Sequence, residues 1–415
     1  MSSDGWPEVR VADFCDSIDY GYTQSASDEP VGPKFLRITD IVSGPIDWGT
    51  VPFCEAPTDA ASRYRLDDGD IVVARTGATT GTSAYIQNPP DAIFASYLVR
   101  LRVDRAKAYP RFVAFFLKSP SFWDYIRGVL GDKSAQPNAS AKTMTQARLR
   151  LPPLAEQRRI ADTLGALDDK IELNRQVNRT LESIARATFK SWFVDFGPGR
   201  KGMGGGEVGL PPDLGMSSQP WSEVPFSATV EILSGGTPST GEAGYWGGAI
   251  PWYSVADAPS PGDVFVTQTE KTVTREGIDH SAAQVVPELT TIISARGTVG
   301  RCALTGRDMA FNQSCFGMRP ANHVGYYFTY FSTLRIVDEL RQRAHGSVFS
   351  TITRPTFASV HVPQPPADLV AAFERRVRPL MMRIRLNVDE SRTLQIIRDS
   401  LLPRLIGGEL PEGVV

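Results

Sequence analysis

The chain has 415 residues, 41% hydrophobic and 22% charged, a composition of ordinary folded proteins that excludes a disordered chain. Its 44 Lys and Arg against 46 Asp and Glu leave a net charge of -2, so no bulk basic charge marks a nucleic-acid binder. The length allows about two to four domains.

No apolar run reaches the roughly eighteen residues that a bilayer-spanning helix needs. The first ten residues lack a basic stretch followed by an apolar one, so no secretory leader is expected. Cys15, Cys54, Cys302 and Cys315 form no C-x-x-C pair and fit a reducing, cytoplasmic setting as small buried hydrophobes. The positive charge is 35 Arg against 9 Lys. That excess fits either bidentate contact with guanine and phosphate or codon bias in a GC-rich genome, and by itself decides nothing.

In chain order, a first globular part of mixed α/β type comes first, over 1–154. Residues 69–76 read as a buried strand ending in Arg75, Thr76 and a glycine turn. Residues 110–127 read as an amphipathic helix whose aromatics, Phe112, Phe115, Phe116, Phe122 and Trp123, are expected in the core. The loop Lys133-Ser134-Ala135-Gln136 follows.

After Leu151-Pro152-Pro153-Leu154 the sequence turns helical, with proline tolerated near the first turn. The central helix is expected over 155–196. Its seam runs Ile160, Leu164, Leu167, Ile171, Asn174 and Leu181 in 4-3-4 heptad spacing with polar layers. A Gly/Pro-rich connector fills 197–220. It neither follows a strand nor opens an evident helix, so it is not a phosphate loop.

A second α/β part occupies 221–366. It has a strand at 290–296 ending in Arg296 and a glycine turn with Thr298, a helix at 325–343, and the loop His345-Gly346-Ser347-Val348. A C-terminal helix over 367–410 carries Phe373, Val377, Leu380, Ile384, Asn387 and Leu394 on its seam. Each long helix, at about 1.5 Å per residue, would measure about 60 Å.

The chain is an internal repeat. At a constant offset of 213, Ile160 meets Phe373, Leu173-Asn174 meets Leu386-Asn387, Thr180-Leu181 meets Thr393-Leu394, and Ile184 meets Ile397. The globular parts match only in fragments, such as Trp6-Pro7-Glu8-Val9 with Trp221-Ser222-Glu223-Val224. The expected fold is α+β: two mixed α/β domains in a pseudo-twofold arrangement, separated by two long antiparallel helices forming a coiled coil. Asn174 and Asn387 in matched layers would fix the register of that pairing.

Catalytic chemistry is missing. Asn88-Pro89-Pro90-Asp91 lacks the aromatic of an amino-methyltransferase motif. No Gly-Lys pair offers a P-loop, no G-x-S-x-G elbow occurs, and His280, His323, His345 and His361 lack zinc-ligand spacing. No metal site is expected.

Three runs flank the helices: Leu151-Pro152-Pro153-Leu154-Ala155-Glu156-Gln157-Arg158-Arg159-Ile160, then Ser191-Trp192-Phe193-Val194-Asp195-Phe196, then Leu401-Leu402-Pro403-Arg404-Leu405-Ile406-Gly407-Gly408-Glu409-Leu410. With Phe311-Asn312-Gln313-Ser314-Cys315, they resemble the specificity subunits of Type I restriction-modification systems. The likeness covers nearly the whole chain. It implies that each globular part is a target-recognition domain reading one half of a split double-stranded DNA site, and that the helices are the spacer. It also implies docking of two methyltransferase subunits and two ATP-driven restriction subunits. S-adenosylmethionine, ATP and Mg2+ would then sit on those partners, leaving this chain non-catalytic and without a cofactor. The second helix entry, Pro363-Gln364-Pro365-Pro366-Ala367-Asp368-Leu369, departs from the pattern by lacking the Glu156-Gln157 pair.

The resemblance does not carry over base-contacting residues. Candidates from position alone are Arg75, Thr76, Lys133, Ser134, Arg296, Thr298 and Ser347, with surface salt bridges or plain solvated turns as the other reading of these sites. An alternative from another class is a non-catalytic coiled-coil scaffold binding proteins. Salt dependence of binding separates the two.

Overall fold

The computed structural model describes residues 5–42, 44–130, 138–195, 221–322, 325–343 and 351–409. The chain forms two compact units, Met1–Glu172 with Thr393–Val415, and Leu173–Arg392.

The first unit holds a four-stranded antiparallel sheet in the order Cys15–Tyr20, Leu98–Val103, Ile71–Ala74, Ser83–Tyr85. A short parallel pair joins Lys34–Leu36 to Ala92–Phe94, and an antiparallel pair joins Glu8–Arg10 to Arg148–Arg150. The apolar run expected as a buried strand is Ile71–Ala74, with every residue buried. The single helix expected over 110–127 is instead two, Pro110–Phe116 and Pro120–Leu130. Pro120 forces the break, because a proline disfavours helical geometry in the residue before it. Phe112, Phe115, Phe116 and Phe122 are buried in the core.

The second unit repeats this frame. Its sheet runs Val230–Ser234, Cys315–Pro320, Thr291–Ser294, Cys302–Thr305, with a fifth strand, Phe265–Val266, added in parallel. Trp246–Tyr253 pairs in parallel with Ala310–Phe311, and Glu223–Pro225 pairs with His361–Pro363. One uninterrupted helix, Tyr326–Arg343, takes the place of the two in the first unit.

The long helices are Leu154–Lys190, continued as a π-helical turn Ser191–Asp195, and Ala367–Gly407. Both units contain a piece of each. In the first unit Ile160, Ala161 and Leu164 pack with Leu402, Leu405, Ile406 and the Phe112 cluster, and Arg398 donates to Asp168 at 2.7 Å. In the second unit Ala185, Phe189, Trp192 and Phe193 pack with Phe373, Val377, Met381 and Ile384, and with Tyr327 and Phe331 of the domain. Each such aromatic, once buried, contributes about 1.5–3 kcal/mol. The helices therefore pair antiparallel and also pack on the domains.

Four of the seam positions, Leu167, Leu181, Leu380 and Leu394, are half-buried; the other eight are buried. The polar layer lies within the second unit. Asn174 Nδ2 donates to Glu390 Oε2 at 2.9 Å and to Ser391 Oγ at 3.1 Å. Asn387 Nδ2 donates to Asn178 Oδ1 at 2.8 Å, and Asn178 Nδ2 donates to Asp263 Oδ1 at 3.0 Å. Asp263 comes from the globular domain, so the layer ties domain to helices as well as helix to helix.

Candidate nucleic-acid interface

In the first domain three strand ends meet at one edge of the sheet: the end of Cys15–Tyr20, the end of Ile71–Ala74 and the start of Leu98–Val103. Arg75 follows the middle one. Its N–H donates to the Tyr97 carbonyl at 3.0 Å, and its guanidinium lies 4.7 Å from the centre of the Tyr20 ring. Its Nη2 donates to Asn138 Oδ1 at 3.4 Å. Tyr20 and Tyr97 are 43% and 60% exposed, so this edge offers two aromatic faces and a stacked cation to a partner. Gly77, at φ 79, turns the chain back after Thr76, in a region of backbone space that favours glycine.

In the second domain the same edge is formed by Ser234, Ser294 and Cys315. Gly297, at φ 73, makes the matching turn. Arg296 and Thr298 are exposed, as is Gln313, which accepts a hydrogen bond from Thr237. Arg354 donates to the Ile232 carbonyl at 2.9 Å and to Ser234 Oγ at 3.1 Å, placing a further exposed arginine at this edge.

The two arginines matched in the sequence are one residue out of register in space. Arg75 N–H bonds the Tyr97 carbonyl, and the residue that makes the equivalent bond, to the Ser314 carbonyl, is Ala295. Thr76 bridges Asn138, and Arg296 bridges Thr351. Arg296 therefore corresponds to Thr76. Extended residues alternate faces, so a shift of one sends the two arginines to opposite sides of equivalent strands. This explains why Arg75 is half-buried against Tyr20 while Arg296 is exposed.

Lys133, Ser134 and Ser347 lie outside the described residues. Sequence reasoning missed Tyr20, Tyr97, Asn138, Gln313 and Arg354. Gln313 stood in a motif already singled out; nothing local marks the others, because only strand pairing brings them to the edge.

Burial pushes the Cys15 and Cys315 thiols up to about 12 and Cys54 to about 11, which keeps them protonated and unreactive. Among the described residues no cluster of His, Cys, Asp or Glu can hold a metal, and no helix is long and apolar enough to cross a membrane. Much of the arginine is structural: buried Arg100 donates to the Arg65 carbonyl at 2.6 Å and to Asp19 at 2.8 Å.

The long helices carry exposed apolar residues at matched positions. Leu173 and Leu386 are 52% and 57% exposed; Ile184 and Ile397 are 48% and 41% exposed. Thr180 and Thr393, also matched, are exposed too. Eleven residues make about three turns, so each Leu and Ile lie on one face of their helix.

The profile of the family described as Type I restriction modification DNA specificity domain matches residues 3–183 and 219–368. The chain belongs to this family. It is 26% identical over 406 residues to the Type I restriction enzyme HindI specificity subunit of Haemophilus influenzae, covering 84% of this chain and 88% of that one. It is 27% identical over 177 residues to the EcoKI specificity subunit of Escherichia coli, covering 40% of this chain and 37% of that one. A solved structure of the S subunit of a Type-I restriction-modification system from M. genitalium shares the fold, with TM-score 0.56, 15% identity, and 97% and 96% of the two chains covered. As a specificity subunit the chain is the non-catalytic, DNA-recognising component of such a system. The family carries no cofactor of its own.

The missing Glu-Gln pair at the second helix entry now has a physical account. In the first unit Gln157 clamps the domain to the helix: its Oε1 accepts from Tyr109 N–H at 2.7 Å and its Nε2 donates to the Pro152 carbonyl at 2.8 Å. In the second unit Glu374 takes this role, accepting from Phe328 N–H at 2.8 Å in the first turn of Tyr326–Arg343. Burial pushes its carboxyl up to about 7, against the pull of that hydrogen bond.

Proposed function

We propose that this specificity subunit reads a bipartite DNA target, one half-site per recognition domain, and directs two methyltransferase and two ATP-dependent restriction subunits to it. S-adenosylmethionine, ATP and Mg2+ belong to those partners, and the assembly works in the cytoplasm. The observation that carries the two-part reading is one sheet built twice whose equivalent edges display different side chains. Tyr20, Arg75, Thr76 and Tyr97 stand at one edge; Arg296, Thr298, Gln313 and Arg354 stand at the other. Different side chains on one frame suit two different base sequences, because base readout depends on the donors and acceptors presented. Exposed leucine and isoleucine retained at matched helix positions of a diverged repeat support the partner reading, because a shared apolar contact suits two copies of one partner.

The test is sequencing of modified bases in cells expressing the complete system, with wild-type chain and with Arg296→Ala. The expected motif has two specific parts separated by unread positions. The variant is expected to relax one part only, since a good bidentate base contact contributes about 1–3 kcal/mol of discrimination. A single uninterrupted motif, or relaxation of both parts together, would count against the reading.

A further inference from the structure

One corner of the sheet carries an arginine in both domains, but from different elements. Tyr20 lies across from Val99, and Val99 across from Val73; Ser234 lies across from Phe316, and Phe316 across from Ile293. Tyr20 and Ser234 are therefore equivalent. The segment that closes this edge is equivalent as well: Ala139 N–H donates to the Arg75 carbonyl, and Ile352 N–H donates to the Ala295 carbonyl. Two residues further on, Ala141 and Arg354 each begin a short helix, Ala141–Thr145 and Arg354–Ser359. In the first domain the strand end supplies Arg75 and the helix start supplies buried Ala141. In the second the strand end supplies buried Ala295 and the helix start supplies Arg354. Each arginine comes to the equivalent residue of the first strand: Arg75 lies over the Tyr20 ring, and Arg354 donates to Ser234 Oγ.

Both guanidinium groups are held by neutral partners, the Tyr20 ring and Asn138 Oδ1 for Arg75, the Ile232 carbonyl and Ser234 Oγ for Arg354. Structural arginines of this chain differ, because carboxylates neutralise them: Asp40 at Arg37, Asp19 at Arg100 and Asp70 at Arg102. Among the described residues no carboxylate pairs with Arg75 or Arg354, and Nη1 of each has no hydrogen-bond partner. We propose that this corner is a guanine-reading position in both domains: Arg75 reads a G·C pair of one half-site, Arg354 reads a G·C pair of the other, and Tyr20 is the positioning residue for Arg75. This rests on the proposed reading of one half-site per domain. Guanine offers O6 and N7 as acceptors in the major groove, and arginine is the side chain that most often takes them. A phosphate contact needs charge alone, whereas base readout needs donors held in place. Tyr20 holds them in the first domain. Its hydroxyl accepts from Ala141 N–H at 3.0 Å, which fixes the ring on which the guanidinium lies.

The experiment first takes the wild-type motif from sequencing of modified bases. The complex of the full chain with its methyltransferase subunits is then assayed for binding to duplexes altered one base pair at a time. Lysine keeps the charge of arginine and loses its planar fork. Arg75→Lys is expected to weaken the preference for guanine about tenfold at one position of one half-site and to leave the other half-site unchanged. Arg354→Lys is expected to do the same in the other half-site. The half-site that stays intact shows that each variant is folded. Tyr20→Leu is expected to relax the same position as Arg75→Lys, and Tyr20→Phe, which keeps the ring, to retain the preference. A readout unchanged by Tyr20→Leu, with only a lower Tm, overturns the role of Tyr20. Lysine variants that leave both half-sites intact overturn this inference alone, as does a two-part motif with no G·C pair in one part or relaxation by only one of the two variants. If Arg75→Ala or Arg354→Ala weakens binding to every duplex alike and flattens its salt dependence, the arginines are phosphate contacts and the inference falls. A motif that is not in two parts overturns the half-site reading and this inference with it.

Discussion

Glu374 shows how one buried carboxyl couples helix attachment to pH. Unfolded, it gives up its proton near 4.5; in the fold it keeps it up to about 7. Below the lower value both states are protonated and the group is neutral to stability. Between the two the unfolded state ionises while the folded state does not, so stability falls as pH rises, and the loss is complete above about 7, amounting to about 3 kcal/mol. Glu374→Gln keeps an acceptor for Phe328 N–H and removes the titration. E374Q is expected to melt above the wild type at about pH 8 and to match it near pH 4. Identical melting curves for the two proteins at both pH values would refute this account. Nothing in the sequence marks Glu374 for burial, because its burial depends on where Tyr326–Arg343 lands. The arginines teach the same lesson. Arg75 and Arg296 align in sequence, yet the hydrogen-bond ladders set them one position apart and on opposite faces.

At the scale of elements, the heptad spacing located both long helices and the polar layers within them. It did not reveal that Asn178 reaches Asp263 or that Asn387 reaches Asn178. Asn178→Ala leaves the Asn387 amide and the Asp263 carboxylate without this partner in a buried layer, and is expected to lower stability by about 1–3 kcal/mol. Urea unfolding should show the loss as a lower midpoint with unchanged slope. A wild-type midpoint would mean that the layer is already well hydrated. The divided helix of the first domain was legible after the fact: Pro120 was visible, but the aromatic periodicity running across it argued for one helix, and backbone sterics prevailed.

At the scale of the whole molecule, two units with separate cores make unfolding divisible. Gly21 and Gly235 each follow the first strand of their sheet, and a Cβ on either would meet main-chain oxygen, at 2.3 Å from Ala95 and 2.1 Å from Asn312. Gly21→Val is therefore expected to lower one calorimetric transition and leave the other in place, and Gly235→Val to do the reverse. A single transition that shifts as one in both variants would show that the shared helices couple the units. The sequence by itself determined the repeat, the two long helices with their seam, the buried strands and the absence of catalytic motifs. Those signals are local: periodicity and spacing are written along the chain. Only the tertiary structure decided which side chains stand at the sheet edges, how Arg75 and Arg296 relate, where Glu374 and Asp263 act, and which helix residues stay exposed. Those properties arise from pairing register and burial between residues far apart in sequence, and no local pattern encodes them.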